Sequence, residues 1–240
     1  MKIEQGIIDS SREFTSGRIK ELEEALSSVD IPNCAIVANG SYARKEASPQ
    51  SDFDYFILHP PSTPASDLER AEAVVKDAVL KVIGKLPSAD GVFGTPLECG
   101  SLSKNIGGML DDNAKITRRV LFLIEGTPIN NKDLFANQRD DLIDRYIRDD
   151  ITDHQIGMFF LNDLIRYYRT ICVDFEYKTF EANKPWGIRN IKLIFSRKLI
   201  YFSGVLIAAE MYQRSAQQKK KIVKELISLS PVERLRKACG

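Results

Sequence analysis

The segment Gly40-Ser41-Tyr42-Ala43-Arg44-Lys45-Glu46-Ala47-Ser48-Pro49-Gln50-Ser51-Asp52-Phe53-Asp54 constrains this chain more than any other part of it. It lies between two short runs of strand-forming residues: CAIVANG, ending on Gly40, and FDYFIL at 53–58, closed by His59-Pro60-Pro61. Side chains alternate faces along a strand, so Asp52 and Asp54, two residues apart, project to the same side. Two carboxylates held that close repel each other unless a cation or a proton lies between them. A divalent ion is the natural solution, and a set of oxygen ligands favours magnesium or manganese over zinc. At the other end of the segment, Gly40-Ser41 leaves one strand and opens a short helical turn. Such a turn offers backbone N–H groups to an anion, and glycine lets a phosphate come close to the backbone. One loop thus brings a phosphate cradle and a metal-binding pair together, a combination suited to a metal-bound nucleoside triphosphate.

The remainder of the chain supplies a frame for that loop. The spacing predicts a helix over 8–29, with Ile19, Leu22, Leu26 and Val29 recurring on one side and a stop at Ile31-Pro32-Asn33. A second helix is predicted over 66–86 and a weaker third strand over 96–102 (PLECGSL). Beyond residue 105 no further strand is predicted. Helices are expected at 112–125, 132–149, 155–180, 187–213 and 217–228. The expected fold class is therefore α+β: a small mixed-sheet head with flanking helices over residues 1–110, followed by an all-α domain over 111–240.

Composition excludes several classes. The 34 Lys+Arg against 33 Asp+Glu leave a net charge of +1, which argues against a uniformly basic nucleic-acid coat protein. With 43% hydrophobic and 28% charged residues, a folded chain is expected rather than a disordered one. Cys34, Cys99, Cys172 and Cys239 lack metal-ligand spacing and read as reduced thiols of a cytoplasmic protein. The segment MKIEQGIIDSSREF has no apolar core and is not read as a secretory signal. The apolar stretch Leu199 to Ala209 is too short to span a membrane and reads as a buried helix, so no membrane partner is expected. The basic run around Lys219-Lys220-Lys221 reads as a solvated helix start.

The spacing Gly-Ser, ten residues, Asp-x-Asp resembles the signature of the DNA polymerase β-like nucleotidyltransferase superfamily. The finer pattern G-S-Y-x-R-x-E-x-S-P-x-S-D-x-D is similar to that of bacterial protein-modifying uridylyltransferases and their uncharacterised nucleotidyltransferase relatives. One departure is Ala43, where those enzymes usually carry glycine. The resemblance implies that Asp52 and Asp54 hold two magnesium (or manganese) ions, with a third carboxylate from a later strand. Glu98 is the candidate, and Asp90, Asp111 and Asp112 are its alternates. One ion would orient the triphosphate. The other, with Asp54 and Glu98, would lower the pKa of an acceptor hydroxyl, which attacks the α-phosphorus as pyrophosphate leaves. Gly40 and Ser41 would contact the phosphates. Arg44 would either pair with a phosphate or form a structural ion pair, with Glu46 orienting it.

In the helical half, Asn162, Arg166, Arg169 and Asp174 interrupt an apolar helix, and Arg189, Lys192, Ser196 and Arg197 interrupt the next one. Buried charges need partners, so these stripes either line a nucleotide-binding cleft, with Arg166 and Lys192 toward the triphosphate, or form an interhelical ion-pair network. Arg118 and Arg119 are a weaker candidate pair for the same role. Trp186 and half of the pair Tyr167-Tyr168 read as packing residues, and His59 as a polar strand end. The expected activity is magnesium-dependent transfer of a nucleoside monophosphate from an NTP, ATP among them, to an acceptor hydroxyl on a protein, a nucleic-acid end or a small molecule. The alternative is a nucleotide-binding regulatory or antitoxin-like module of the same fold that acts through a protein partner.

Overall fold

In the computed structural model, residues 2–27, 33–89 and 91–239 are described. The end of the first expected helix, its Ile31-Pro32 stop, and Asp90 lie outside them. The chain divides into two compact units, one of Met1–Leu102 with Glu125–Asp140 and one of Ser103–Ile124 with Asp141–Gly240.

The first unit opens with α1 (Lys2–Ser27), followed by β1 (Ala35–Ala38), a single helical turn α2 (Gly40–Ala43), β2 (Tyr55–His59), α3 (Ala65–Val82) and β3 (Thr95–Glu98). The chain then passes through α4 (Asn113–Ile124) of the second unit and returns as β4 (Thr127–Pro128) and α5 (Lys132–Tyr146). The sheet order is β3-β2-β1-β4, with β1 antiparallel to both β2 and β4, and β2 parallel to β3. A parallel pair cannot be closed by a hairpin, and α3 provides the crossover. The expected mixed sheet with flanking helices, followed by a helical region, is what the chain forms.

Alternation decides which face is buried under α1 and α3. Ile36 and Ala38 of β1, and Tyr55 and Ile57 of β2, join Leu22, Leu26, Val75 and Val79 in one core. Phe53, just ahead of β2, belongs to the same core. The opposite face therefore carries Val37, Asn39, Asp54 and Phe56. β4 corrects the expectation of no strand beyond residue 105. It has two residues, and Pro128 suits a sheet edge because an edge position does not need its missing donor. The pairing runs on past it: the Ile129 N–H donates to the Ile36 carbonyl at 2.8 Å. The Ile36 N–H donates in turn to Asn130 Oδ1 at 2.7 Å.

The second unit contains α4 and then α6 (Met158–Glu176), which widens into a π-type turn at Tyr177–Glu181. The chain reverses and returns as α7 (Trp186–Ile191), a second π-type stretch at Lys192–Arg197, and α8 (Lys198–Ala209). It closes with α9 (Ala216–Ile227) and α10 (Pro231–Cys239). Where α6 meets α8, a Cβ on Gly204 would stand 2.6 Å from Leu164 Cδ2, so any larger residue there would force the Leu164 side chain to shift. Ser215 and Gln218 form a capping box that starts α9. The basic run that follows is not all solvated. Lys219 is buried, and its ammonium donates to the carbonyls of Thr152 (3.0 Å), Asp153 (3.1 Å) and Arg214. Burial disfavours its charged form and lowers its pKa. Lys220 bridges Asp144 and Asp149. Buried Arg234 donates to the carbonyls of Leu226, Ile227 and Ile124, closing the C-terminal ends of α9 and α4. No helix among the described residues is long and apolar enough to cross a membrane.

Candidate active site

The loop from Gly40 to Asp54 is pinned at both ends and in the middle. At its entry, the Asn39 N–H donates to the Asp54 carbonyl at 2.8 Å, extending the β1–β2 ladder by one step. Midway, buried Ala47 donates its N–H to Thr15 Oγ1 at 3.0 Å, which ties the loop to α1. Near its exit, the Lys85 ammonium holds Gln50 through both the carbonyl and Oε1, and the Phe53 N–H donates to the Lys85 carbonyl. Tyr42 meets Phe53 edge-on at 5.2 Å, and Phe53 stacks on Tyr55. Because Phe53 is drawn wholly into the core, the residues on either side of it, Asp52 and Asp54, turn the other way. Asp52 is exposed and Asp54 half-buried.

Gly40 stands directly against Asp54. Its φ is +66°, and a Cβ there would lie 2.6 Å from Asp54 Oδ2. The glycine therefore serves two purposes: it adopts a left-handed backbone and leaves room for the carboxylate. Replacing Gly40 with alanine is expected to displace Asp54 and to weaken magnesium–NTP binding while the fold persists. Calorimetric titration of the variant beside wild type measures this, and equal affinity would show that the contact does not matter. Ala43 needs no such latitude, since it lies in ordinary right-handed helix and packs on the core, so the departure from glycine leaves the turn intact.

The turn is fixed from an unexpected direction. Glu125, at the end of α4, accepts the Gly40 N–H at 3.0 Å and pairs with the Arg44 guanidinium, which also binds Glu46 at 2.8 Å. Burial alone would lower the Arg44 pKa, but the Glu125 and Glu46 carboxylates outweigh it and raise the value. Arg44 thus makes the structural ion pair that is one of its two expected roles. Sequence reasoning missed Glu125. Its signal was a carboxylate placed directly after the apolar run Val120-Leu121-Phe122-Leu123-Ile124, where an acid that ends a buried segment requires a partner. Asn39 was also missed. It is fully buried beside Asp54 on the same face of the sheet, and its Oδ1 has no hydrogen-bond partner among the described residues.

The register bears on Glu98, the expected third carboxylate. In the parallel β2–β3 pair, His59 lies opposite Glu98 and Leu58 opposite Leu97. Opposed residues share a face, so Leu97 goes with Phe56 and Asp54, and Glu98 with Ile57 and Tyr55 on the other side. Its partner His59 is also five residues beyond Asp54, roughly 16 Å along the strand. Glu98→Ala is accordingly expected to leave both NTP affinity and turnover unchanged, and a marked loss of turnover would refute this placement. Of the alternates, Asp111 is buried in the second unit, paired with Arg119 and Arg166. Among the described residues no group of three His, Cys, Asp or Glu side chains is placed to hold a metal ion. His59 ends β2 with Nδ1 at 2.9 Å from the Pro60 carbonyl, a polar strand end as expected.

The helical-unit candidates are arranged differently from a phosphate-binding stripe. Arg166 contacts Asp111 Oδ2 at 2.7 Å, Asp163 Oδ1 at 3.3 Å and the Asp111 carbonyl at 2.8 Å. Arg119, wholly buried, makes a two-pronged contact with Asp111 and also donates to Asp163 Oδ2 at 2.7 Å. Tyr146 donates to the same Asp163 oxygen at 2.7 Å. Burial raises the Asp111 pKa, but its hydrogen bonds from Arg119, the Gly107 N–H and Arg166 outweigh this and bring it to about 2. This is an interhelical ion-pair network, one of the two arrangements expected for Arg166 and its neighbours. Lys192 is exposed on the π-type stretch before α8. Trp186 is exposed at the start of α7 and is not a packing residue, whereas Tyr167 is buried and Tyr168 stacks on Tyr201.

Residues 19–106 match the family model of the nucleotidyltransferase domain. That stretch of the chain is a nucleotidyltransferase domain of the polymerase β-like superfamily, and it contains Gly40, Ser41, Asp52 and Asp54. Glu125 lies beyond the matched span. No curated protein matches the chain.

Proposed function

We propose that the chain transfers a nucleoside monophosphate from an NTP to an acceptor hydroxyl and releases pyrophosphate. The observation that carries this reading is the apposition of Gly40 and the Asp54 carboxylate inside a stretch that matches the nucleotidyltransferase domain. Magnesium is commonly held by one or two carboxylates together with substrate phosphate oxygens, and the Asp52–Asp54 pair meets that requirement with hard oxygen donors only. When bound, the ion neutralises the triphosphate and polarises the α-phosphorus. Asp52 and Asp54 would hold it, and Gly40 leaves the space in which the triphosphate approaches Asp54. Ser41 is the candidate hydroxyl donor to the phosphates. Glu125 and Arg44 act at one remove, by fixing the turn that carries Gly40 and Ser41. The acceptor oxygen bonds to the α-phosphorus as its proton passes to water, while the bond to the bridging oxygen breaks and the negative charge leaves with pyrophosphate.

The test is pyrophosphate release with each of the four NTPs, in magnesium and in EDTA, against three acceptors: a protein, an RNA end and a small polyol. Calorimetry without acceptor accompanies it. Without a divalent ion the two negative carboxylates repel the negative triphosphate, so binding is expected to be far weaker in EDTA. Equal affinity in EDTA would count decisively against a metal-bridged site. Magnesium-dependent binding with no release on any acceptor would favour a nucleotide-sensing role.

A further inference from the structure

The outer half of the α6–α8 hairpin has no core of its own. Between Tyr167 and Ile200 no residue is buried. An apolar helix of this kind was expected to be covered, and it is not. Val173, Tyr177 and Phe180 on the outgoing arm, and Ile188, Ile191 and Phe195 on the returning arm, are each between 56% and 69% exposed. Their spacings are four and three residues on the first arm, and three and four on the second, the interval at which apolar residues form a seam between packed helices. Each arm touches the other, yet each keeps an apolar row directed outward.

We propose that this hairpin is a dimerisation arm, and that two copies of the chain pair through it to form a four-helix bundle. Three observations select a second copy as the occupant. The first is area. With Trp186 at the tip, the exposed apolar side chains present roughly 700–900 Å² per copy, given side chains of this size. Monomers rarely expose more than a few hundred Å² in one apolar patch, and a standard stable interface takes about 800 Å² from each partner. The second is symmetry. A two-fold axis lets a surface with two apolar rows serve as its own complement, each outgoing arm meeting the partner's returning arm. The third is charge. The outgoing arm, 168–181, carries Asp174, Glu176 and Glu181 against Arg169 and Lys178. The returning arm, 182–199, carries Lys184, Arg189, Lys192, Arg197 and Lys198 and no acid at all. Two-fold pairing sets the acids of one copy beside the bases of the other. An anionic membrane or a nucleic acid would gain from the returning arm but be opposed by the outgoing one, and a nucleic acid would leave Val173, Ile188 and Ile191 uncovered.

The test uses the full chain. Sedimentation equilibrium over a range of concentrations is expected to give twice the 27.1 kDa chain mass for wild type. Phe180→Glu with Phe195→Glu is expected to give the monomer with an unchanged far-ultraviolet dichroism spectrum, since both side chains are exposed. Hydrogen exchange of wild type provides a reading independent of any variant: amides of 173–195 gain protection as concentration rises through the dimerisation range. A wild-type monomer at all concentrations overturns the proposal, as does a dimer that the double variant leaves intact or protection that does not respond to concentration. A monomer that binds vesicles of anionic phospholipid through the same residues would assign the arm to a membrane surface instead.

Discussion

Replacing Asp52 and Asp54 together by asparagine is expected to abolish nucleotidyl transfer and leave the fold intact. Asparagine keeps the size and shape of each side chain and retains an oxygen acceptor, but it supplies no charge for a magnesium ion. A metal-bound phosphoryl transfer depends on that charge for several kcal/mol of transition-state stabilisation, or about 10³-fold in rate. Stability moves the other way. The two carboxylates lie on one side of an extended segment, Asp52 exposed and Asp54 half-buried, so neutralising them removes a repulsion. Single-turnover rates in magnesium and thermal melting of the apo protein, measured on one preparation, decide the matter. Full loss of transfer with a melting temperature unchanged or raised is the expected pair of results. Unchanged transfer would remove both residues from the site, and a sharply lowered melting temperature would mean that the pair supports the loop rather than the chemistry.

What could be read from the sequence was local. The Gly-Ser turn, the two strands beside it and the expected shared side of Asp52 and Asp54 all follow from the neighbouring residues 34–58, because the period of a strand is fixed by its own backbone. What could not be read depended on pairing between distant segments. Alternation placed Glu98 on a face with Gly100 but was silent on which side of the sheet that face would be, and only the parallel register with β2 decides it. Arg44 needed a partner, and its partner came from residue 125, beyond a whole helix of the other unit. β4 escaped because two residues, one of them proline, carry no period. The hairpin shows a different limit. Apolar spacing marks a face that wants to be covered, and it does not say whether this chain supplies the cover.

The ion-pair network of the second unit carries the other large expected effect. Arg119→Met is expected to destabilise the helical unit by about 3–5 kcal/mol, the cost of leaving a buried charge without its partner. Arg119 and Arg166 oppose Asp111 and Asp163, two charges of each sign, and Arg119 is the member shielded entirely from water. Methionine fills much of the same volume, so the loss is mainly electrostatic. After it, the two carboxylates share only Arg166, which is partly open to solvent. Urea denaturation at neutral pH, followed by helical dichroism, gives the magnitude, and a change below about 1 kcal/mol, the range of an exposed pair, would refute the account. Two controls identify the cause. Asp111→Asn in the Arg119→Met background removes one stranded charge and is expected to recover part of the loss. In wild type, Asp111 titrates at about 2 in the folded state against a model-compound value of 3.8. A depressed carboxylate contributes stability above its unfolded pKa and loses it as the pH falls through the folded value. Wild type is therefore expected to lose about 2 kcal/mol between pH 4 and pH 2 from this group. The variant lacks the guanidinium that depresses Asp111, so its acid-induced loss is expected to be smaller, and the two stability curves should converge as the pH drops.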